Sequence, residues 1–254
     1  MDILISLYIF ILGMLFSSFY GVLAMRIPGK ESILGRSYCP KCHHQLKLID
    51  VIPLVGYLIN KGRCRDCKEE IPIIYPLLEI LGGILFLGAY LLYGFSLTFA
   101  VSIIFISVLI IESISDIERM IVIDRIWMIG LSLLLLIRII EGKLLIYLIS
   151  SILLFSVLYL ISYFGSRFYK REALGGGDIK LYLFIGFVLT WEQGLLSLFL
   201  ASFFGLIFGF LRTRKDHTIP LVPFIFMGVI LSFIFGNQLI DWYLNLLRMW
   251  WYVW

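Results

Sequence analysis

Apolar residues run through this chain in blocks of about 20, the length an α-helix needs to cross a hydrocarbon core of about 30 Å. On that pattern the sequence predicts eight spans, at 3–25, 73–93, 96–115, 126–140, 144–164, 179–191, 194–211 and 221–246, the fourth and sixth of them short. The longest polar stretch, Arg26 to Pro72, is the one place for a small extramembrane domain. No internal repeat or low-complexity tract stands out beyond the apolar bias. The first block follows only Met1 and Asp2, with no basic leader and no small-residue cleavage site, so it is expected to be retained as a helix. The terminal "MWWYVW", Met249 to Trp254, reads as an aromatic anchor at a membrane interface.

Composition sharpens this picture. Charged residues make up 15% of the chain against about a quarter in soluble domains, and the mean hydropathy is +1.00. The expected fold class is therefore an all-α polytopic membrane protein with about eight transmembrane helices. The net charge of +4 says little, but its distribution says more. Eight spans place both termini on one side. The loops 26–72, 116–125, 165–180 and 212–216 then share the other side and carry 18 of the 21 Lys and Arg residues, leaving only Arg138, Lys143 and Arg248 opposite. The positive-inside rule makes the basic loops cytoplasmic and the termini external. Topology thus accounts for the basic balance, and no nucleic-acid partner is called for.

All four cysteines lie in the long loop, as "CPKC" (Cys39, Cys42) and "CRDC" (Cys64, Cys67). Two such knuckles supply four thiolates with tetrahedral reach, the pattern of a structural zinc site. Two disulfides and redox use are the competing readings. A cytoplasmic loop keeps its thiols reduced, which favours zinc. A closed four-Cys set leaves no position for a reacting water, so the metal is expected to be structural. His43 and His44, beside a complete ligand set, are expected to face solvent.

Ionisable groups near spans are few, and each is a functional candidate because burial in lipid is costly. They are Glu79, Glu112, Asp116, Glu118, Asp124 and Asp178. Asp116 closes the third span in "ESISDIERM", and Asp178 opens the sixth in "LGGGDIKL". Both fall at predicted cytoplasmic ends. Two carboxyls close enough to share a proton have their pKa values driven apart, leaving one ionised to activate water and one protonated to polarise a carbonyl. Gly175, Gly176 and Gly177 would let a substrate strand approach closely. The residues equally fit a simple turn with Asp178 as a helix N-cap. Glu112, four residues before Asp116, shares its helical face. Glu79 suits a buried inter-helix contact, Glu118 a solvated loop charge, and Asp124 a cap. Lys180 is either an anchoring charge or a cation that helps Asp178 ionise.

Taken in order, "LGMLFSSFYGVLAMRIP", the two CxxC pairs, "IPLVGYLINKGRCRDC", "IPIIYPLLEILGGILF", "SDIERMIVID", "LGGGDIKL" and "IPLVPF" resemble the type IV prepilin peptidases, membrane aspartyl proteases of the GxGD class that include the ComC-like enzymes of competence systems. The resemblance implies cleavage of a short basic leader from pilin-like precursors, after a glycine, at the cytoplasmic face of a bacterial cytoplasmic membrane. In many members it also implies methylation of the new N-terminus with S-adenosylmethionine. It places the catalytic pair on Asp116 and Asp178; beside it, the residues themselves leave substrate positioning to Gly175, Gly176, Gly177 and Lys180 and make Cys39, Cys42, Cys64 and Cys67 the expected zinc ligands. The expected organisation is a first helix at 1–25, a cytoplasmic zinc loop at 26–72 with Gly62 at a position tied to methyl transfer, and a peptidase core at 73–254. The chain departs from the family pattern at Ser115, Ile123, Ala173 and Val222. The alternatives are a proton- or cation-coupled transporter and a zinc-loop scaffold of a pilus or secretion machine.

Overall fold

The computed structural model describes residues 2–170, 174–211 and 220–251. Ala173, the basic loop 212–216 and the end of the aromatic terminus lie outside them. The described residues form helices α1 (Asp2–Arg26), α2 (Leu48–Val51), α3 (Val55–Ile59), α4 (Ile74–Tyr93), α5 (Leu97–Arg119), α6 (Asp124–Ile140), α7 (Leu144–Tyr169), α8 (Gly176–Ile185), α9 (Trp191–Leu211) and α10 (Val222–Trp251). They contain no sheet, only two isolated bridges, Tyr38 with Gln45 and Arg63 with Glu70.

Among the described residues six helices are long and apolar enough to cross a membrane, namely α1, α4, α5, α7, α9 and α10. The chain is thus a multi-pass, all-helical membrane protein, with six such helices where the hydropathy pattern predicts eight. The two that fall short are those predicted at 126–140 and 179–191. At 1.5 Å per residue, α6 with 17 residues reaches about 26 Å and α8 with 10 only about 15 Å. The apolar run continues past Ile185, but the helix does not. Arg138, 5% exposed near the end of α6, donates from Nε to Phe187 O at 2.9 Å and from a terminal nitrogen to Val188 O at 3.3 Å. A buried guanidinium thus takes carbonyls just beyond α8, where a longer helix would use them for its own ladder.

The chain forms two compact units, Met1–Glu118 and Arg119–Trp254. In the first, α1 lies against α4 across small residues. A Cβ on Gly82 would sit 1.7 Å from Ser17 Oγ, and one on Gly13 would sit 2.7 Å from Gly82 O. Such close backbone approach is how helices associate in lipid, where the hydrophobic effect gives no drive. Tyr20 Oη and Ser107 Oγ, 2.6 Å apart, tie α1 to α5. In the second unit Ser232 Oγ donates to Gln193 O at 2.6 Å, joining α10 to α9. Ser151 Oγ of α7 donates to Leu183 O of α8 at 2.7 Å. The α6 partners of α8, Asp124 near one end and Arg138 near the other, follow the same order along both helices, so α6 and α8 run parallel.

Candidate active site and metal centre

The cysteine loop is built from two copies of one turn. The Cys39 N–H donates to His44 O and the His43 N–H returns to Cys39 O; the Cys64 N–H donates to Glu69 O and the Lys68 N–H returns to Cys64 O. His43 (φ 55°) and Lys68 (φ 59°) both take the left-handed backbone these turns need. The repeat is invisible to a search on side-chain identity because only the cysteines are common to both copies.

The turns bring all four Sγ atoms within 4.8 Å of one another. Cys39 and Cys67 Sγ are 3.8 Å apart, and Cys42 and Cys64 Sγ 3.9 Å. Tetrahedral zinc with Zn–S of about 2.3 Å requires sulfurs about 3.8 Å apart, so the set fits the ion, and the thiols are free rather than disulfide-bonded. Their chemistry also calls for a cation. Backbone N–H groups, foremost that of Cys42, lower the Cys39 thiol to about 7. At Cys67 the Glu69 N–H acts in the same direction, but desolvation and the three neighbouring sulfurs outweigh it and push the thiol up to about 12. Four thiolates can coexist here only around a positive ion.

Of the two histidines expected to face solvent, only His43 does so fully. His43 is exposed and packs on Tyr38, with ring centroids 5.8 Å apart. His44 is half-buried, and its Nδ1 lies 2.6 Å from Asp66 Oδ2, so it links the first knuckle to the second. Asp50 is another link that motif reading missed. Its side chain is only 4% exposed and lies 2.7 Å from an Arg65 nitrogen. It also accepts Asn60 Nδ2 at 2.8 Å and the Lys47 N–H at 3.0 Å. Burial opposes its ionisation, but these donors and the Arg65 charge outweigh burial and hold the carboxyl below its ordinary value.

The two candidate catalytic aspartates are both buried at helix ends. Asp116 is 7% exposed in the last turn of α5, in the first unit. Asp178 is 9% exposed in the first turn of α8, in the second. The N-cap of α8 is Gly175, so Asp178 is an intrahelical residue and not the cap that the sequence left open. The carboxylate leans back over that cap, because a Cβ on Gly175 would lie 3.0 Å from Asp178 Oδ2. Gly176 faces open space, whereas a Cβ on Gly177 would meet Val122 Cβ at 2.7 Å. The three glycines therefore have three different surroundings.

Around this end of α8 the charges are arranged in the second unit. Lys180 Nζ contacts Asp124 Oδ1 at 3.2 Å and Oδ2 at 3.0 Å, and Trp127 Nε1 donates to Asp124 Oδ1 at 3.1 Å. The Lys180 and Trp127 hydrogen bonds hold the Asp124 carboxyl below the usual range. A cleft of about 460 Å³ opens beside the same helix, lined by Tyr159, Ser162, Tyr163, Ser166 and Arg167 of α7 and by Ile179, the neighbour of Asp178. Glu112 is fully buried on the Asp116 helix. Glu118 is exposed and accepts Tyr75 Oη at 3.0 Å. Glu79 is half-buried, and its contact runs to a loop helix: its Oε2 accepts the Leu54 N–H at 2.8 Å, joining α4 to the start of α3.

Comparison with known proteins gives two family matches. Residues 11–93 match the bacterial peptidase A24 N-terminal domain, and residues 103–210 match the type IV leader peptidase family. A Bacillus subtilis protein described as prepilin leader peptidase/N-methyltransferase is 33% identical over 249 residues, covering 94% of this chain and 97% of that protein. Proteins of the same description from Myxococcus xanthus and Legionella pneumophila are 31% and 29% identical, covering 82% and 84% of this chain and 63% and 76% of theirs. No solved structure matches.

Proposed function

The chain belongs to the type IV leader peptidase family, and from that premise we propose that it is a membrane-embedded aspartyl endopeptidase that removes the leader of pilin-like precursors at the cytoplasmic face of a bacterial cytoplasmic membrane. The observation that carries this reading is the relationship along nearly the whole length of a prepilin leader peptidase/N-methyltransferase. Two buried aspartates at helix ends support it. In the proposed reaction, one carboxylate of the Asp116 and Asp178 pair takes a proton from water as the water oxygen bonds to the scissile carbonyl carbon. The other, protonated, donates to the carbonyl oxygen. Collapse of the tetrahedral intermediate breaks the C–N bond, and a carboxyl proton passes to the departing amine.

The exposed Gly176 and the cleft beside Ile179 are where we place the substrate backbone as it approaches Asp178. A basic leader followed by an apolar helix suits such a site, because the helix enters the bilayer while the leader stays in water. Cys39, Cys42, Cys64 and Cys67 are assigned to one structural zinc. Methylation of the new N-terminus from S-adenosylmethionine is the second activity we assign. Gly62, the loop glycine tied to it by family pattern, has φ +70° and lies against Tyr57, where a Cβ would come within 2.8 Å of the hydroxyl. Its backbone is therefore required by the loop turn itself.

Co-expression with a prepilin, followed by mass spectrometry of the precursor's N-terminus, reads cleavage, cut site and methylation together. Asp116→Asn and Asp178→Asn are each expected to abolish cleavage at unchanged protein level. Normal processing by either variant would sink the assignment of that residue.

A further inference from the structure

The loop between α1 and α4 carries an apolar surface that the zinc site does not explain. Every exposed side chain from Leu48 to Ile59 is a leucine, isoleucine or valine. Leu48 is 91% exposed and Leu58 63%. This reverses the rule for a loop in water, where the polar groups face out. The one charged side chain of the segment, Asp50, is turned inward to Asn60 and Arg65. Exposed lysines, Lys47 and Lys61, flank the segment on both sides.

The position of the segment along α4 identifies its partner. Glu79 is the sixth residue of α4 and holds the Leu54 N–H, which the left-handed backbone of Leu54 (φ 61°) turns toward it. With 20 residues, α4 spans about 30 Å and has no length to spare in crossing the hydrocarbon core. A residue five positions inside its end lies about 7 Å along the helix axis. That is the depth at which an amphipathic segment rests in the boundary between headgroups and acyl chains, about 5 to 10 Å deep. We propose that α2 and α3 form a membrane-surface hairpin, its exposed leucines, isoleucines and valines seated in the lipid beside α4 and its flanking lysines reaching the headgroup phosphates. The zinc knuckles, joined to it through Arg65 and Asp50, are thereby held against the bilayer surface. The inference rests on the membrane spans and not on the peptidase reading.

The test places a genetically encoded coumarin amino acid at Leu48, at Leu58 or, as a reference, at the exposed Lys68, in full-length metal-loaded protein in nanodiscs of phosphatidylglycerol and phosphatidylethanolamine. Some nanodiscs carry lipid with a nitroxide high on the acyl chain. Quenching at 48 and 58 is expected to exceed that at 68 by about threefold or more, as immersion at this depth requires. Equal quenching at all three positions overturns the proposal. If the signal at 58 then responds to precursor or to protein concentration, the surface belongs to the substrate or to a second copy instead. Leader cleavage measured on the same samples stands or falls separately.

Discussion

Gly175, Gly176 and Gly177 look interchangeable in "LGGGDIKL", yet each predicts a different outcome on substitution. Gly176→Ala adds a methyl group to open space inside a helix, and should leave the fold unharmed or stabilise it by up to about 1 kcal/mol. If the glycines admit a substrate strand, the same variant loses cleavage while its melting temperature holds. Gly177→Ala must displace Val122 and is expected to cost about 1–3 kcal/mol. Thermal unfolding in detergent and leader cleavage, measured side by side, separate the roles; full activity in Gly176→Ala would remove Gly176 from the substrate path. Asp50 gives a pH-dependent case. Its carboxyl is held below the ordinary value of about 3.9, so its stabilisation is fully present above that value and is lost as pH falls through the depressed one. Asp50→Asn should therefore leave the loop more protease-sensitive than the parent by a constant margin from pH 7 down to about 4, with the margin closing below. A margin that closes at neutral pH would assign the effect to another group.

At the scale of elements, the two helices that hydropathy overcounts include the one that carries Asp178, α8, and its partner α6, whereas Asp116 sits on the long span α5. The long spans were legible because lipid contact makes their apolar character a direct readout of length. The end of α8 was not, because the carbonyls just beyond it are taken by Arg138, 49 residues before Phe187, whose charge in the sequence counts only as one of three on the external side. Likewise Asp116, Asp178 and the four cysteines stand out as costly or reactive groups, whereas the Asp124 contact to Lys180 depends on the parallel course of α6 and α8. Arg138 also lies 2.6 Å from Glu141 and over the Tyr147 ring. Arg138→Ala would strand Phe187 O and Val188 O and is expected to cost about 3–5 kcal/mol, as for a buried charge partner removed. Arg138→Lys, which lacks the planar fork, should recover only part of this. The exposed Lys180 and Asp124 pair predicts the opposite: Lys180→Ala should change stability by no more than about 1 kcal/mol. Thermal unfolding of the three variants gives the order, and a Lys180→Ala loss as large as that of Arg138→Ala would contradict it.

For the whole molecule, the cysteine loop and the spans are expected to draw stability from different sources, so metal removal should separate them. Metal binding and folding are one process in a module whose own helices contribute 4 and 5 residues. The spans are held by small-residue packing and need no metal. Purified protein is expected to carry about one zinc per chain, lost on Cys39→Ser or with a strong chelator. Loss should open the 26–72 segment to proteases while far-UV circular dichroism stays nearly unchanged; a collapse of the helical signal would mean that the loop supports the spans. Glu79 is the joint between the two. Glu79→Gln keeps an oxygen to accept the Leu54 N–H and should behave as the parent. Glu79→Ala should retain its zinc, because no ligand is touched, yet expose the α2 and α3 segment to proteolysis. Zinc content and cleavage rate measured on both variants distinguish a loop detached at its membrane edge from one unfolded at its metal.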